Sequence, residues 1–469
     1  MKKQLFFDDN KLFSRDNVIR KYGNPERIAE FNDGVCSTDY CTGWVFRLDN
    51  NKYRMLYFGH SENFTGKKLF CAISDDGVNF KPEKLWENPE AEGKDYSHEI
   101  LSIPNGSEVA FVYEDKHCSG DEKYKLLVSK VIHDELWAYD EIYTSCDLIN
   151  WQLKENLYWG DGAEPLASVF YNEHRECHTI CARKFWGVRS AGYKETKDWQ
   201  TFSQYSTCLN VDSNDECLAE IYGMYAFSYD GMYIGIPHMY RGLKSELNAK
   251  YKNGIIDTQL AYSYDGRYWQ RSLHEPFITG TNWEDRKYPL TWISNMMKCD
   301  DGSINFYGSA SELEHGPAFH EPGTGKIFVY KLREDGFISL KTENKDEVSV
   351  VATREKVWHG GDLHINISTK GATVSVYITD EDEVVTGNVL GFARPIEGYS
   401  HEDCIPFSGN STDWIPEYKN GKKISDLAGK TIVFEIKFSD GELFSLSGKF
   451  TDVYNTEGAR YRKFGVLPD

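Results

Sequence analysis

The stretch Ser145-Cys146-Asp147-Leu148-Ile149-Asn150-Trp151 decides the fold, because its pattern stands at three other places in the chain. These are Ser74-Asp75-Asp76-Gly77-Val78-Asn79-Phe80, Thr196-Lys197-Asp198-Trp199-Gln200-Thr201-Phe202 and Ser263-Tyr264-Asp265-Gly266-Arg267-Tyr268-Trp269. The common form is a hydroxyl residue, one free position, an Asp, three free positions, then Phe or Trp. Ser, Thr and Asp side chains bond back to nearby backbone N–H groups and so favour turns. The aromatic then plugs the gap between one sheet and the next. The spacing is irregular but averages roughly 40–65 residues, the length of one blade in a radial array. A turn-plus-aromatic unit recurring between β segments predicts small sheets repeated around a central funnel.

Working outward, each copy follows paired apolar runs. Residues 43–59 read as a hairpin, with an apolar run, a turn at Asp49-Asn50-Asn51, then alternating Tyr53, Met55 and Tyr57. Runs at 109–113 and 124–128 precede the second copy, and runs at 167–171 and 177–181 the third. Runs at 225–229 and 233–236 flank Asp230-Gly231, a strong hairpin signal, before the fourth. A fifth unit runs through 291–293, 304–308 and 327–330. Five units of four strands predict an all-β chain with a five-bladed β-propeller over residues 1–345. Beyond about Val350 the repeat is absent and runs such as 364–367, 373–377 and 432–436 alternate. Residues 346–469 are expected to form a C-terminal β-sandwich. No helix of convincing periodicity shows.

A chain of 469 residues exceeds one ordinary core, which agrees with two domains. Its 73 acids against 53 Lys and Arg leave a formal charge of -20, a field that repels nucleic acid and anionic lipid. An aromatic fraction of 14%, mostly Tyr, suits β-strands and also saccharides, whose C–H faces pack on rings while hydroxyls meet polar tips. β proteins are aromatic-rich in any case, so this content adds only modestly to the small saccharide partner expected from the acids described below. The N-terminus carries no apolar run long enough for a signal peptide, and no stretch approaches a membrane span. Eleven scattered cysteines, with no CxxC pair and no zinc spacing, predict free thiols in a reducing cytoplasm, no metal and no cofactor.

In such an array the chemistry belongs where the innermost strands begin. Just ahead of those strands stand Asp39 in blade one, His98 in blade two, Glu164 in blade three and Glu220 in blade four. Acids from three blades in one funnel repel each other, so one is held protonated while another stays ionised. That division of labour is what glycoside cleavage needs. Candidate substrate-binding residues are His98, Arg183, Arg189, Tyr222, Trp44, Trp292 and Arg241, with Asp161, Asp212 and Glu99 as further acids nearby.

This arrangement resembles glycoside hydrolase family 32, five-bladed propeller enzymes that act on β-fructofuranosides, and more distantly the arabinan-degrading family 43. The family has Asn-Asp-Pro, Arg-Asp-Pro and Glu-Cys motifs in blades one, three and four. Here Thr38-Asp39-Tyr40, Ala163-Glu164-Pro165 and Glu220-Ile221 stand in their places. The resemblance implies Asp39 as nucleophile, Glu220 as general acid/base and Glu164 as the carboxylate that steadies the oxocarbenium-like state. The arginine of the second motif is missing, and Arg183 or Arg189 is positioned to replace it. The activity expected is release of a small furanoside such as a β-fructofuranoside from the non-reducing end. Phosphorolysis aided by Arg183, Arg189 and Arg241, or non-catalytic saccharide binding, are the alternatives.

Overall fold

The structure is a computed structural model. It describes all residues except 37–41, 61–66, 88–94, 103–106, 132–137, 155–163, 186–187, 243–253, 280–287, 316–324, 379–393 and 454–469. Among the described residues there is no α-helix, and no helix is long and apolar enough to cross a membrane. The chain divides into two compact units, Asn24–Arg333 and Met1–Gly23 with Glu334–Asp469. The expected division at 345 and 346 is therefore corrected at both ends. The first residues belong with the last because Lys2–Leu5 pairs with Glu442–Gly448, Leu12–Asp16 with Ser349–Thr353, and Val18–Tyr22 with Ile338–Thr342. These pairings bury Phe6, Leu12 and Val18 in one core with Val351, Trp358 and Ile436.

The larger unit is a five-bladed propeller. Blade one is built from Gly43–Arg47, Tyr53–His60, Lys67–Ser74 and Lys81–Pro82, each antiparallel to the next. Blade two uses Ser107–Glu114, Tyr124–Val131, Ala138–Ser145 and Gln152–Lys154. Blade three uses Glu164–Asn172, Cys177–Phe185, Arg189–Thr196 and Ser206–Leu209. Blade four has Ala219–Tyr229, Met232–Gly242 and a third strand in two pieces, Gly254–Thr258 and Ala261–Ser263, with Gln270 bridging Tyr262 at its outer edge. Blade five pairs Leu290–Thr291 and Asn295–Lys298 with Ile304–Ser311, which pairs with Lys326–Leu332. Its outermost strand is Glu26–Phe31, drawn from the beginning of the unit.

The four repeated motifs are the turns that join third strand to fourth. In each, the hydroxyl accepts the N–H of the fourth residue: Ser74 from Gly77, Ser145 from Leu148, Thr196 from Trp199 and Ser263 from Gly266. The Asp carboxylate accepts the next two N–H groups, as Asp147 does from Ile149 at 2.9 Å and Asn150 at 2.8 Å. The fourth residue has positive φ in every copy, between 57° and 76°. Leu148 and Trp199 hold this conformation without being glycine, but at Gly266 a Cβ would lie 2.5 Å from Asn172 Nδ2, so space favours glycine there.

Each turn is pinned to the preceding blade. Tyr307 of blade five donates to Gly77 O, Arg54 of blade one to Asp147 O, and Asn172 of blade three to Asp265 O. Trp199 donates its indole N–H to Asp115 of blade two. The fifth blade has no copy because its fourth strand is supplied by Glu26–Phe31, leaving no third-to-fourth turn to build. Inner strands close the ring as well: Ser294 Oγ bonds both N and O of Gly43, and Ser168 Oγ bonds Met224 O and Ala226 N.

The smaller unit is antiparallel throughout. Its strand His364–Ile378 pairs through its first part with Glu442–Gly448 and through its second with Thr431–Ser439. One strand thus serves two stretches of sheet that enclose a single apolar core, the β-sandwich expected from the alternation.

Candidate active site

First strands begin and second strands end at one rim of the propeller, opposite the repeated turns. Of the predicted trio, Asp39 lies outside the described residues. Glu164 opens the inner strand of blade three with its backbone opposite Arg183, and its side chain lies outside the described part. Glu220 is described in full. It sits on the inner strand of blade four, opposite Tyr240.

Arg189 holds Glu220 twice, through its guanidinium at 2.6 Å and its backbone N–H at 3.3 Å. Arg189 opens the third strand of blade three, so the pair bridges two blades. A register shift between Ile221 and Gly223 bulges the inner strand at Tyr222. The buried Tyr222 ring packs with Trp292, His315 and Tyr240, centroids 5.3, 5.0 and 5.8 Å away. Its hydroxyl meets His315 Nε2 at 2.7 Å. The Arg183 and Arg189 guanidinium carbons stand 4.1 and 5.1 Å from the same ring centroid, within cation–π reach. Glu220, two arginines and an aromatic wall thus form one constellation, able to hold a hydroxylated ligand and move a proton beside it.

Residues 212–220 lead into that strand, and their acids are paired in order. Asp212 bonds His274 at 2.9 Å and Arg271 at 3.0 Å. Asp215 takes both Arg271 end nitrogens at 2.6 Å, and Glu216 lies 3.5 Å from Arg241. Leu218, with φ of 90°, ends the run in a conformation that L side chains resist. Asp212, Asp215 and His274 offer atoms within 4.8 Å of one another, as a metal site would. Arg271 donates to both carboxylates, so a cation entering the cluster would compete with those bonds.

Arg241 is not an open funnel residue. It is buried and bonded to Asp257 at 2.5 Å. Burial pushes the Asp257 carboxyl up to about 6, with Arg241 opposing only in part. His98 is corrected in place. Glu99–Ser102 pairs with Lys67–Ser74, so His98 belongs to the sheet of blade one, and the inner strand of blade two starts at Ser107. His98 is buried and bonds Asp33 at 2.8 Å, and Asp33 also accepts from the Tyr57 hydroxyl. Burial would raise the Asp33 carboxyl, but these donors hold it below its ordinary range. Trp44 is core, 1% exposed, edge-on to Phe58 and Phe111. Trp292 is equally buried and backs Tyr222 and His238.

Tyr240, His315, Asp257 and Asp33 were not foreseen. Hairpin register counted back from Asp230-Gly231 puts Arg241 opposite Glu220, and the bulge at Tyr222 shifts the pairing by one so that Tyr240 stands there instead. His315 and Asp257 had no signal, since they arrive from later segments of the chain.

No family model matches the chain, and no curated protein matches it. Solved structures of similar shape include a glycosyl hydrolase from Bacteroides ovatus, 13% identical, covering 66% of this chain and 94% of that one with a TM-score of 0.44. Another is an N-acetylgalactosamine deacetylase from F. plautii in complex with blood group B trisaccharide, 10% identical, covering 68% and 96% with a TM-score of 0.45. A third comes from the family of mannoside phosphorylases that contains glycoside hydrolases targeting beta-1,2 mannosidic linkages in Candida mannan, 13% identical, covering 66% and 94% with a TM-score of 0.41. Likeness at this level does not extend to residue roles.

Proposed function

We propose that the chain cleaves a glycosidic bond at the rim of the propeller, with Glu220 as the general acid/base. The observation that supports it is the seat of Glu220: an inner-strand carboxylate oriented by Arg189 beside Tyr222, Tyr240 and Arg183. In this reading Asp39 and Glu164 supply the other carboxylates, Asp39 as nucleophile. A carboxyl separation of about 5–5.5 Å gives retention and one of about 6.5–9.5 Å gives inversion. A small furanoside such as a β-fructofuranoside is the narrower reading.

A panel of nitrophenyl glycosides and fructo-oligosaccharides tests both levels. Glu220→Gln is expected to cut turnover of whichever substrate reacts by about 10²–10⁴-fold, the span of a positioned acid/base. Near-normal turnover in a folded Glu220→Gln protein removes the proposal.

A second reading, phosphorolysis, is favoured by one feature: two guanidinium groups, Arg183 and Arg189, stand against the same Tyr222 ring. Turnover that persists in phosphate-free buffer rules it out.

A further inference from the structure

A cleft of about 590 Å³ lies between the outer strand of blade three and the outer edge of blade four. That is within the roughly 300–1,000 Å³ of ordinary small-ligand sites. Thr207, Asp212, Asn214, Trp269, Gln270 and His274 are among the residues lining it. None of them belongs to the constellation around Glu220.

The polar groups here divide into spent and spare. Both Arg271 end nitrogens are spent: Nη1 donates to Asp215 and Gln259, and Nη2 to Asp215, Asp212 and Asn210 O, while the buried Nε has no partner among the described residues. His274 uses Nε2 on Asp212, and Gln270 uses Oε1 on the Tyr262 hydroxyl. That leaves His274 Nδ1, the Gln270 amide N–H groups, the Asn214 amide and the Thr207 hydroxyl without a bond to another described residue. Asn214, Thr207 and Gln270 are exposed. Trp269, packed edge-on against Phe170, contributes an apolar wall.

Charge narrows the ligand. A divalent cation would have to displace guanidinium nitrogens held at 2.6 Å. An anion would meet the half-exposed Asp212 carboxylate. A neutral molecule with several hydroxyls meets amides, an imidazole nitrogen and a carboxylate oxygen, each able to donate or accept, beside an indole.

We infer that this cleft is a second saccharide-binding site, taking a neutral sugar through hydroxyl bonds to His274, Asn214, Gln270 and Asp212. The choice of sugar rests on the glycosidase reading, whereas the cleft itself does not depend on Glu220.

Calorimetry on the Glu220→Gln protein tests this, with fructo- and manno-oligosaccharides of two to six units as probes, and calcium chloride and inorganic phosphate as comparisons. At least one saccharide binds, and its affinity falls tenfold or more in two added backgrounds: Asn214→Ala with His274→Ala, which removes partners, and Thr207→Trp, which fills the space. Thermal melting is unchanged in Thr207→Trp, and falls in the double variant by no more than the His274–Asp212 contact contributes. Failure of every saccharide to bind, binding indifferent to both backgrounds, or binding of calcium or phosphate alone overturns the inference. Because binding is read without turnover, an inactive wild-type chain would defeat the glycosidase reading and leave this result to stand or fall separately.

Discussion

Arg189 clamps Glu220 from the neighbouring blade, with one bond from the guanidinium and one from the backbone. The two contacts differ in what mutation can remove. Arg189→Ala deletes only the charged one, at 2.6 Å, and leaves Glu220 partly buried with a backbone donor. The expected outcome is a fall in kcat of about ten- to a hundredfold, the loss of a bond of about 1.5–3 kcal/mol to a charged group. Arg189→Lys restores charge but not the fork, and recovers only part. Steady-state kinetics with separate kcat and KM decide it.

Asp257 makes stability depend on pH in an unusual direction. Burial raises its folded pKa to about 6 from the 3.8 ordinary for Asp, so the native state binds this proton more tightly than the unfolded chain does. Its contribution is therefore full below about 4 and is lost as pH rises through 6, a change on the order of 3 kcal/mol. Subtracting the Asp257→Asn unfolding free energy from that of the wild type isolates this slope. A difference that stays flat from pH 4 to 6.5 contradicts it.

The repeated turns carry measurable stability. Asp147→Ala removes a carboxylate that accepts two backbone N–H groups and the Asn150 amide at 2.7 Å. Denaturant unfolding is expected to show a loss of about 1–2 kcal/mol. Burial would raise Asp147, yet these donors hold it low, so the wild type keeps this contribution above about 4 and surrenders it as pH falls further. The variant lacks that acid-side loss.

Closure of the ring depends on Glu26–Phe31, whose Ala29 lies opposite Val329. Proline at both Ala29 and Glu30, paired neighbours of which one turns its N–H toward Lys326–Leu332, removes a ladder bond and is expected to destabilise the propeller by about 1–3 kcal/mol. Proline at exposed Val348, within the smaller unit, leaves the propeller transition where it was. Calorimetric scans of the two variants distinguish a broken closure from a general effect of proline.

Leu218 stands at a φ of 90° two residues before Glu220. A left-handed L residue costs roughly 1–2 kcal/mol, and glycine adds about 0.5–1 kcal/mol of unfolded-chain entropy. Leu218→Gly is therefore expected to raise stability slightly, by up to about 1 kcal/mol, while loosening the approach to Glu220 and lowering turnover. A stability loss above 1 kcal/mol would show that the Leu218 side chain, not the backbone angle, holds this turn.

Much of the fold was legible because its signals are local. Ser145 and Asp147 bond to N–H groups within three residues, so seven letters suffice to announce the turn. Asp230-Gly231 likewise sets the register from Tyr229 back to Gly223, beyond which a bulge at Tyr222 that no local pattern announces brings Tyr240 opposite Glu220. His98 was misplaced because Glu99–Ser102 reads equally as the start of one blade or the edge of the one before, and only pairing with Lys67–Ser74 decides. Trp44 and Trp292 read alike as sugar platforms or core, since burial is not written in residue type.

From the sequence alone, this chain was bound to be all-β, radially repeated, and equipped with Glu220 on an inner strand. Those properties follow from turn chemistry and strand alternation, which act over a few residues. Tertiary structure decided that Glu26–Phe31 closes the fifth blade, that Met1–Gly23 joins the C-terminal unit, and that Arg189 holds Glu220 while Asp257 holds Arg241. Each of these joins segments distant along the chain, and their partners are chosen by which surfaces are buried together, a quantity that no local pattern encodes.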